Sequence, residues 1–180
     1  MVDVDRIVLE QPELVKIVRR MAHEIIEKCG ERNALVLIGI RSRGVHLARR
    51  LARSIGEIDK STPPVAVIDV SRFRDDRVAQ AGSAVGAFEI EAAVDDKTVV
   101  LIDDVIYRGR TIRAAMEAVE RLGQPKRILV AALIDRGARE LPIRADIVGK
   151  NIDAVEGQRI NVRLVEADGV DQVILVDWRS

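Results

Sequence analysis

The chain has 180 residues and a formal net charge of zero, with 29 Lys and Arg residues against 29 Asp and Glu residues. Its content of 48% hydrophobic and 32% charged residues excludes a disordered chain and predicts one globular domain with a substantial core. We expect a cytoplasmic protein, because no apolar run approaches about 18 residues and no signal-peptide pattern opens the chain. The single Cys29 excludes an intramolecular disulfide bond and a cysteine-based zinc site.

The basic residues are mostly arginine, with 23 Arg against 6 Lys. The planar guanidinium can grip a phosphate or a carboxylate at two points, so this bias favours a protein that handles such groups. Only four residues are aromatic, which disfavours a single-strand nucleic-acid binder built on stacking platforms.

The first half of the chain alternates between helix and strand patterns. Pro12 at a first turn, Gly30 past the end and an apolar half of the helical wheel predict a helix over residues 11–29. The apolar run at 34–40 predicts a strand that is buried on both faces of a parallel sheet. An amphipathic helix over 45–55 and a second strand over 65–70 follow.

The second half opens with a polar stretch, residues 71–86, whose length is typical of a functional lid or a disordered loop. We predict a third strand over 98–103, a helix over 111–122 and a fourth strand over 128–134. Three short runs at 145–148, 159–166 and 172–176 look like strands without helices between them. The whole pattern predicts an α/β fold with a parallel sheet, helices on both faces and a small appended subdomain.

Residues 99–111 carry the clearest chemical signal. A strand ends in Asp103 and Asp104, and a turn containing Gly109 leads into a helix that begins at Thr111. Ligands of open α/β sheets bind beyond the carboxyl ends of the strands, and the amides of a helix start bind phosphate. The two carboxylates suit ribose hydroxyls or a Mg²⁺ that keeps water and phosphate oxygens. The segment therefore predicts a sugar-phosphate site; the alternative is two solvated acids beside an ordinary turn.

This segment resembles the 5-phosphoribosyl 1-diphosphate (PRPP) motif of type I phosphoribosyltransferases. Other stretches narrow the resemblance to the PyrR family: residues 20–24 (RMAHE), 39–44 (GIRSRG), 73–76 (FRDD), 135–137 (DRG) and 139–151 (RELPIRADIVGKN). The resemblance runs from about residue 5 to the C-terminus. It implies a single phosphoribosyltransferase domain, with a core over about 12–136 and a hood of short strands over about 1–10 and 137–180.

The resemblance also implies a function with two parts. PyrR proteins regulate pyrimidine biosynthesis by binding an attenuator hairpin in pyr messenger RNA, and many convert uracil and PRPP to UMP and pyrophosphate. The implied cofactor is Mg²⁺, the implied small ligands are PRPP, uracil, UMP and UTP, and the implied assembly is a homodimer or a larger homo-oligomer.

The resemblance assigns roles residue by residue. The catalytic candidates are the acids that contact ribose and Mg²⁺ and the arginines beside the pyrophosphate: Asp103, Asp104, Arg41, Arg43 and, in the loop over the site, Arg74. The other substrate-binding candidates are the 5′-phosphate turn, the pyrophosphate loop serine and the residues near the base: Tyr107, Arg108, Gly109, Arg110, Thr111, Ser42, Asp135 and Arg136. Because the reaction displaces a group at the anomeric carbon, we expect electrostatic stabilisation and no covalent nucleophile.

The candidate RNA-binding residues comprise the basic half of the first helix, with Lys16, and three later cations: Arg19, Arg20, His23, Arg139, Arg144 and Lys150. An arginine-rich helix face can contact the phosphates and base edges of a hairpin loop. An ordinary solvated helix face is the alternative.

Two positions depart from the family pattern. Arg108 stands where the family has Thr or Ser, and the loss of one hydrogen bond to a charged phosphate costs about 1.5–3 kcal/mol. Arg108 either restores that contact by its charge or fills the phosphate pocket by its bulk. Ala138 stands where the family has His. Two alternatives to a full PyrR function therefore stay open: a catalytically weak, nucleotide-sensing RNA-binding regulator, and a salvage phosphoribosyltransferase without an RNA function.

Overall fold

The computed structural model describes residues 6–30, 34–70, 87–88 and 93–177. The elements follow one another along the chain as β1 (Arg6–Glu10), α1 (Gln11–Cys29), β2 (Leu35–Ile40), α2 (Arg43–Asp59), β3 (Val65–Asp69), β4 (Ala87–Phe88), β5 (Thr98–Ile106), α3 (Arg110–Leu122), β6 (Arg127–Asp135), β7 (Ile147–Asn151), β8 (Gln158–Arg163), α4 (Val165–Asp168) and β9 (Gln172–Asp177). Within the described ranges, no helix is both long and apolar enough to cross a membrane.

The central sheet has the strand order β4-β3-β2-β5-β6-β7. Five of these strands are parallel, and the two-residue β4 pairs antiparallel with β3. Every residue of β2 is buried, as the apolar run predicts for a central strand with both faces covered. The parallel sheet with flanking helices confirms the predicted fold class.

Successive residues of β2 face two separate apolar layers. Leu35 and Leu37 pack in the layer that holds α1 and α2, whereas Val36 and Ile38 pack in the layer that holds α3. This division follows from the pleat of a strand, which points neighbouring side chains to opposite faces. The α1, α2 layer also includes Leu9, Leu164 and Val173, so the tail and the N-terminus share its core.

A second sheet, which we call the hood sheet, consists of β1, β9 and β8 in that order, all antiparallel. It brings together the two ends of the described chain, as expected for the hood. The expected lower boundary of the tail at residue 137 does not match the sheets, because β7 joins the central sheet beside β6. Ile147 is fully buried there, and a Cβ at Gly149 would lie 2.3 Å from the Leu133 carbonyl oxygen, so glycine permits the close approach of the backbones.

The two acids of the phosphoribosyl motif lie inside a strand rather than after it. We expected the third strand to end at Asp103, but β5 continues to Ile106. The reason is the partner strand: Val105 pairs with Ile134 and Ile106 pairs with Asp135, so the ladder extends past the end of the apolar run. The predicted loop over 71–86, with Arg74, lies outside the described residues.

Candidate active site

A cleft of about 890 Å³ opens at the carboxyl ends of β5 and β6. Its lining comes from α2, from the end of β5, from the turn after it and the start of α3, from the residue after β6 and from the hood sheet. The lining residues are Arg43, Asp103, Val105, Ile106, Tyr107, Arg108, Gly109, Arg110, Thr111, Ile112, Arg136, Arg159, Ile160, Asn161 and Val176. The cleft therefore collects most of the predicted substrate-binding residues in one place.

The acidic pair of β5 is held by its own backbone. Asp103 is buried, and one of its carboxylate oxygens accepts a hydrogen bond of 3.0 Å from the amide of Asp104. An oxygen of the half-buried Asp104 accepts one of 2.9 Å from the amide of Val105. These bonds help to fix the direction of both carboxylates, which suits a site that must present negative charge to a ligand.

The two carboxylates fit a Mg²⁺ ion of the kind implied by the family. Mg²⁺ in phosphate-handling sites takes one or two carboxylates from the protein and completes its shell with water and phosphate oxygens. Asp104 is half-buried and its neighbour Asp103 lines the cleft, so hard oxygen ligands stand beside the space that a sugar phosphate would fill.

The predicted phosphate turn forms the start of α3. Gly109 has a φ of 92°, a left-handed value that favours glycine, and it directly precedes the first helical residue, Arg110. The carbonyl oxygen of Gly109 accepts the first helical hydrogen bond, from the amide of Arg113 at 3.0 Å. The amides that have no helical partner, at Arg110 to Ile112, therefore lie at the cleft with the positive end of the helix dipole.

Arg108 is paired at the rim of this turn. Its Nε lies 3.2 Å from Oε1 of Glu140, and Oε2 of the same carboxylate lies 2.8 Å from Nε of Arg110. The Arg108 side chain is 49% exposed, and its guanidinium carbon lies 5.2 Å from the centre of the Tyr107 ring. One glutamate thus bridges both arginines of the turn. The Arg108 guanidinium therefore has an ion-pair partner, Glu140, outside the predicted phosphate pocket.

Residues 139–143 pack against the phosphate turn and form hydrogen bonds with it. The amides of Glu140 and Leu141 both donate to the carbonyl oxygen of Arg108, at 3.1 and 3.2 Å. A Cβ at Gly109 would meet the side chains of Leu141 and Ile143 at 3.5 and 3.6 Å. In sequence this stretch is part of a family signature and contains the RNA-binding candidate Arg139; in the structure it shapes the phosphate turn.

Arg139 is the centre of that support. Its Nη1 donates to the carbonyl oxygens of Tyr107 at 2.8 Å and Gly137 at 3.2 Å, and its Nε donates to that of Ile143 at 2.8 Å. Its Nη2 donates to a carboxylate oxygen of Asp135 at 2.6 Å. We predicted Arg139 as an RNA-binding residue, but the structure places its guanidinium, with 18% of the side chain exposed, in an internal brace. Nothing in the local sequence distinguishes such a brace from a surface arginine.

The predicted pyrophosphate loop joins β2 to α2. Its tightness depends on two glycines: a Cβ at Gly39 would lie 2.6 Å from Cα of Val45, and a Cβ at Gly44 would lie 2.4 Å from the carbonyl oxygen of Ile102. The loop backbone therefore packs directly against β5, one residue before Asp103. The peptide bond between Arg41 and Ser42 is cis.

Both arginines of this loop are near carboxylates. Nε of Arg41 lies 3.8 Å from Asp69 at the end of β3. Arg43 donates from Nε and Nη2 to the two carboxylate oxygens of Asp168 in α4, at 3.1 and 2.7 Å. The hydrogen bond to Asp168 raises the pKa of Arg43 above its ordinary value, against burial and with help from the charges of Asp168 and Asp104.

The two residues after the apolar part of β6 have different surroundings. Asp135 receives Arg139 and the amide of Gly137, the latter at 2.8 Å. Arg136 stacks its guanidinium 3.9 Å from the centre of the Tyr107 ring and donates to the carbonyl oxygen of Gln158 at 2.9 Å. Its Nε–H is buried and has no hydrogen-bond acceptor among the described residues. Arg136 therefore brings a largely uncompensated positive charge to the cleft beneath the hood sheet.

The remaining predicted RNA-binding residues divide by exposure. Arg19, His23 and Arg144 are exposed, and Lys150 is half-buried. Arg20 donates to the carbonyl oxygens of Val148 at 3.0 Å and Gly149 at 2.5 Å, so it fastens α1 to β7, and it also pairs with Glu24. The structure thus brings the exposed cations of α1 alongside the strand that carries Lys150, while Arg20 has a structural part in that contact.

Comparisons with known proteins agree with this geometry. A family model described as the phosphoribosyl transferase domain matches residues 6–166. The bifunctional protein PyrR of Pelotomaculum thermopropionicum is 47% identical over 171 residues, which cover 94% of each chain. The bifunctional protein PyrR of Chloroflexus aurantiacus is 46% identical over 170 residues, or 94% of this chain and 93% of that one.

Solved structures agree on the fold. A hypoxanthine-guanine phosphoribosyltransferase from Bacillus anthracis has a TM-score of 0.73 at 17% identity and covers 97% of this chain and 99% of its own. A hypoxanthine phosphoribosyltransferase from Staphylococcus aureus has a TM-score of 0.71 at 17% identity, over 98% of this chain and 92% of its own. The domain match and the identity to two PyrR proteins over nearly the whole length confirm the resemblance read from the motifs: the chain belongs to the PyrR family of phosphoribosyltransferases.

Proposed function

We propose that this protein transfers the phosphoribosyl group of PRPP to uracil, giving UMP and pyrophosphate, and that it regulates pyrimidine biosynthesis by binding an attenuator hairpin in pyr messenger RNA. The observation that carries the enzymatic part is the shared cleft, in which Asp103 of β5 and the start of α3 line one space. Membership of the PyrR family supports both parts.

The substrate is placed by the chemistry of each part of the cleft. The amides at the start of α3 bind the 5′-phosphate, and Asp103 and Asp104 bind the ribose hydroxyls. The loop that carries Arg41 and Arg43 binds the diphosphate. Uracil then lies between Tyr107, Arg136 and the hood sheet. Mg²⁺ would be held by the two acids and would neutralise charge on the diphosphate.

The protein's own residues contribute positioning and charge. Departure of pyrophosphate leaves positive charge on the ribose ring, and the fixed carboxylates of Asp103 and Asp104 stabilise it. The arginines of the 41–43 loop stabilise the negative charge that develops on the leaving group. The hood sheet limits access of water to the reactive carbon. This scheme uses no covalent nucleophile.

Arg108 decides between this function and a nucleotide sensor with a weak catalytic site. Its ion pair with Glu140 supports turnover, because it offers the guanidinium a position at the rim of the phosphate turn. The test is UMP formation from uracil and PRPP by the unmodified protein and by Arg108→Thr. Turnover by both supports the enzyme; no turnover by the unmodified protein, with turnover by the variant, supports the sensor.

For RNA, we propose the exposed basic residues Arg19, His23 and Arg144, together with Lys150. A gel shift with a pyr leader hairpin, with and without UMP, tests this surface. We expect Arg19→Ala and Arg144→Ala to weaken binding about tenfold or more, since each removes a phosphate contact. Normal RNA binding by both variants would contradict the surface, and normal UMP formation with no RNA binding by the unmodified protein would favour a salvage enzyme.

UMP and UTP as regulatory ligands, a cytoplasmic location and a homodimer or larger homo-oligomer complete the proposal. Sedimentation at several protein concentrations tests the assembly, and a monomer throughout would contradict it.

A further inference from the structure

Two arginines of α2 hold one acidic segment of the tail, which we define as residues 164–171. Arg50 donates from Nε and Nη2 to Glu166, at 2.8 and 2.5 Å, and from Nη1 and Nη2 to Asp171, at 3.0 and 2.7 Å. Arg43 donates from two nitrogens to Asp168. Arg43 and Arg50 are two helical turns apart, so both project from the same side of α2.

The two contacts differ in their position relative to the cleft. Arg50 does not line the cleft, and it forms the better-buried contact, with 17% of its side chain and 6% of that of Asp171 exposed. Arg43 lines the cleft, and its contact is more exposed, at 30% for the arginine and 20% for Asp168. The Arg50 contact therefore suffices to anchor the acidic segment, whereas the Arg43 contact reaches into the site.

Asp168 uses only one edge of the Arg43 guanidinium. A guanidinium has five N–H donors, and Asp168 accepts from Nε and from one hydrogen of Nη2. The Nη1 edge is left for a ligand in the cleft. Asp168 is itself fixed, because its Oδ2 accepts a hydrogen bond of 2.9 Å from the amide of Leu164.

We propose that Asp168 is a positioning residue: it holds Arg43 by its Nε edge so that the Nη1 edge faces the diphosphate. This inference rests on the proposed function, since it takes the diphosphate of PRPP as the ligand of Arg43. It adds a residue of the hood, more than a hundred positions away in sequence, to the pyrophosphate subsite.

The test is binding of pyrophosphate with Mg²⁺ by isothermal titration calorimetry, with steady-state kinetics beside it. We expect Asp168→Asn to weaken pyrophosphate binding about fivefold and to raise the KM for PRPP with kcat changed less than about twofold. Asp168→Glu restores binding, because it keeps the charge and the two-point grip. Glu166→Gln is the matched control: it weakens the Arg50 contact of the same segment and leaves pyrophosphate affinity unchanged.

Unchanged or tighter pyrophosphate binding by Asp168→Asn would overturn the proposal, since a mere competing counterion would release Arg43 to the ligand. A measurement on the unmodified protein is independent of the folding of any variant. The Nε–H signal of Arg43 in a ¹⁵N NMR spectrum remains protected from solvent when magnesium pyrophosphate is added, if Asp168 keeps its grip. Loss of that protection contradicts the proposal. If the unmodified protein binds neither pyrophosphate nor PRPP, the proposed function fails and this inference with it.

Discussion

The two ends of the cleft are built by different interactions. At the phosphate end, β5, the Gly109 turn and the start of α3 are neighbours in sequence, and backbone hydrogen bonds from segment 139–143 support them. At the diphosphate end, two arginines of α2 contact the acidic segment of the tail through arginine–carboxylate pairs. The first end combines backbone hydrogen bonds with the contacts of the Arg139 guanidinium, whereas the second end is joined to the tail by arginine–carboxylate pairs.

This difference separates what is fixed from what can be adjusted. Backbone hydrogen bonds inside a buried sheet respond little to pH or salt, whereas ion pairs near the surface respond to both. The phosphate end should therefore be the more fixed of the two. The diphosphate end is the more adjustable, and substitutions there should alter both ligand affinity and the free energy of unfolding.

The largest effect is expected from the fixed end. Asp104→Asn removes one of the two charges that face the ribose, and we expect kcat/KM to fall about 100-fold or more, as for loss of one preorganised electrostatic group. Thermal unfolding should change little, because Asp104 is only half-buried and Asn keeps an oxygen for the Val105 amide. Asp153→Asn, at an exposed position, is the control. A fall in kcat/KM of less than about threefold would show that Asp104 is not part of the site.

The next effect concerns Gly44, in the first turn of α2, where the diphosphate end packs closely against β5. A Cβ at Gly44 would lie 2.4 Å from the Ile102 carbonyl oxygen and 3.3 Å from Cα of Asp103. We expect Gly44→Ala to lower the free energy of unfolding by about 1–3 kcal/mol, the range for overpacking, and to weaken pyrophosphate binding. Urea unfolding measures the first. Arg53→Ala, an exposed change on the same helix, should leave both quantities unchanged; equal results for the two variants would contradict the close packing.

A smaller effect is expected at the anchor of the acidic segment. Arg50→Ala leaves the carboxylate of Asp171, only 6% exposed, without its partner. Removing one partner of a buried pair costs 3–5 kcal/mol, and the partial exposure of Arg50 and Glu166 reduces our expectation to about 2 kcal/mol. Arg49→Ala, the exposed neighbour in sequence, is the matched control for urea unfolding. Identical stabilities for the two variants would show that the anchor contributes nothing.

The smallest effect is the pH dependence of the same anchor. The hydrogen bond from Arg50 lowers the pKa of Glu166 below 4.5, and the hydrogen bond from Arg43 lowers that of Asp168 below 3.8, in each case against burial. Because these pKa values are lowered on folding, the stability they add is complete above the unfolded values and is lost as the pH falls through the folded ones.

The corresponding measurement is urea unfolding of the unmodified protein and of Arg50→Ala between about pH 7 and about pH 3. The unmodified protein should lose stability more steeply below about pH 4.5, since Arg50 also lowers the pKa of Asp171 despite its burial. Parallel curves for the two proteins would mean that the pairs of Arg50 with Glu166 and Asp171 add no pH-dependent stability.

Most of the fold follows from local patterns. The strands buried on both faces, the helices between them and the turn at Gly109 all lie where periodicity and glycine placed them, within a few residues. The exceptions are the parts set by distant partners and the tail, where the predicted strand over 159–166 ends at Arg163 and a short helix, α4, separates β8 from β9. β5 runs past its apolar residues because β6 continues beside it, and β7 belongs to the central sheet although no helix precedes it.

The site was predictable to a similar limit. Acids after an apolar run and a glycine before a helix are local signals, and the structure places the segment that they marked in one cleft with Arg43 and Arg136. The partners of the arginines were not predictable. Arg43 and Asp168 are ordinary charges in a chain with 29 of each sign, and only the docking of the tail on α2 brings them together.

The brace at Arg139 bears on how mutants of this protein should be interpreted. One guanidinium ties the carboxylate beside the base position to the backbone of the phosphate turn, and it does so within a segment that also carries the exposed Arg144. Failure of an Arg139 variant to bind RNA would therefore not show where the RNA binds. The same change also loosens Asp135 and the phosphate turn, at the two ends of the proposed nucleotide pocket. Only a variant such as Arg144→Ala, outside the brace, can separate loss of an RNA contact from loss of the nucleotide that accompanies it.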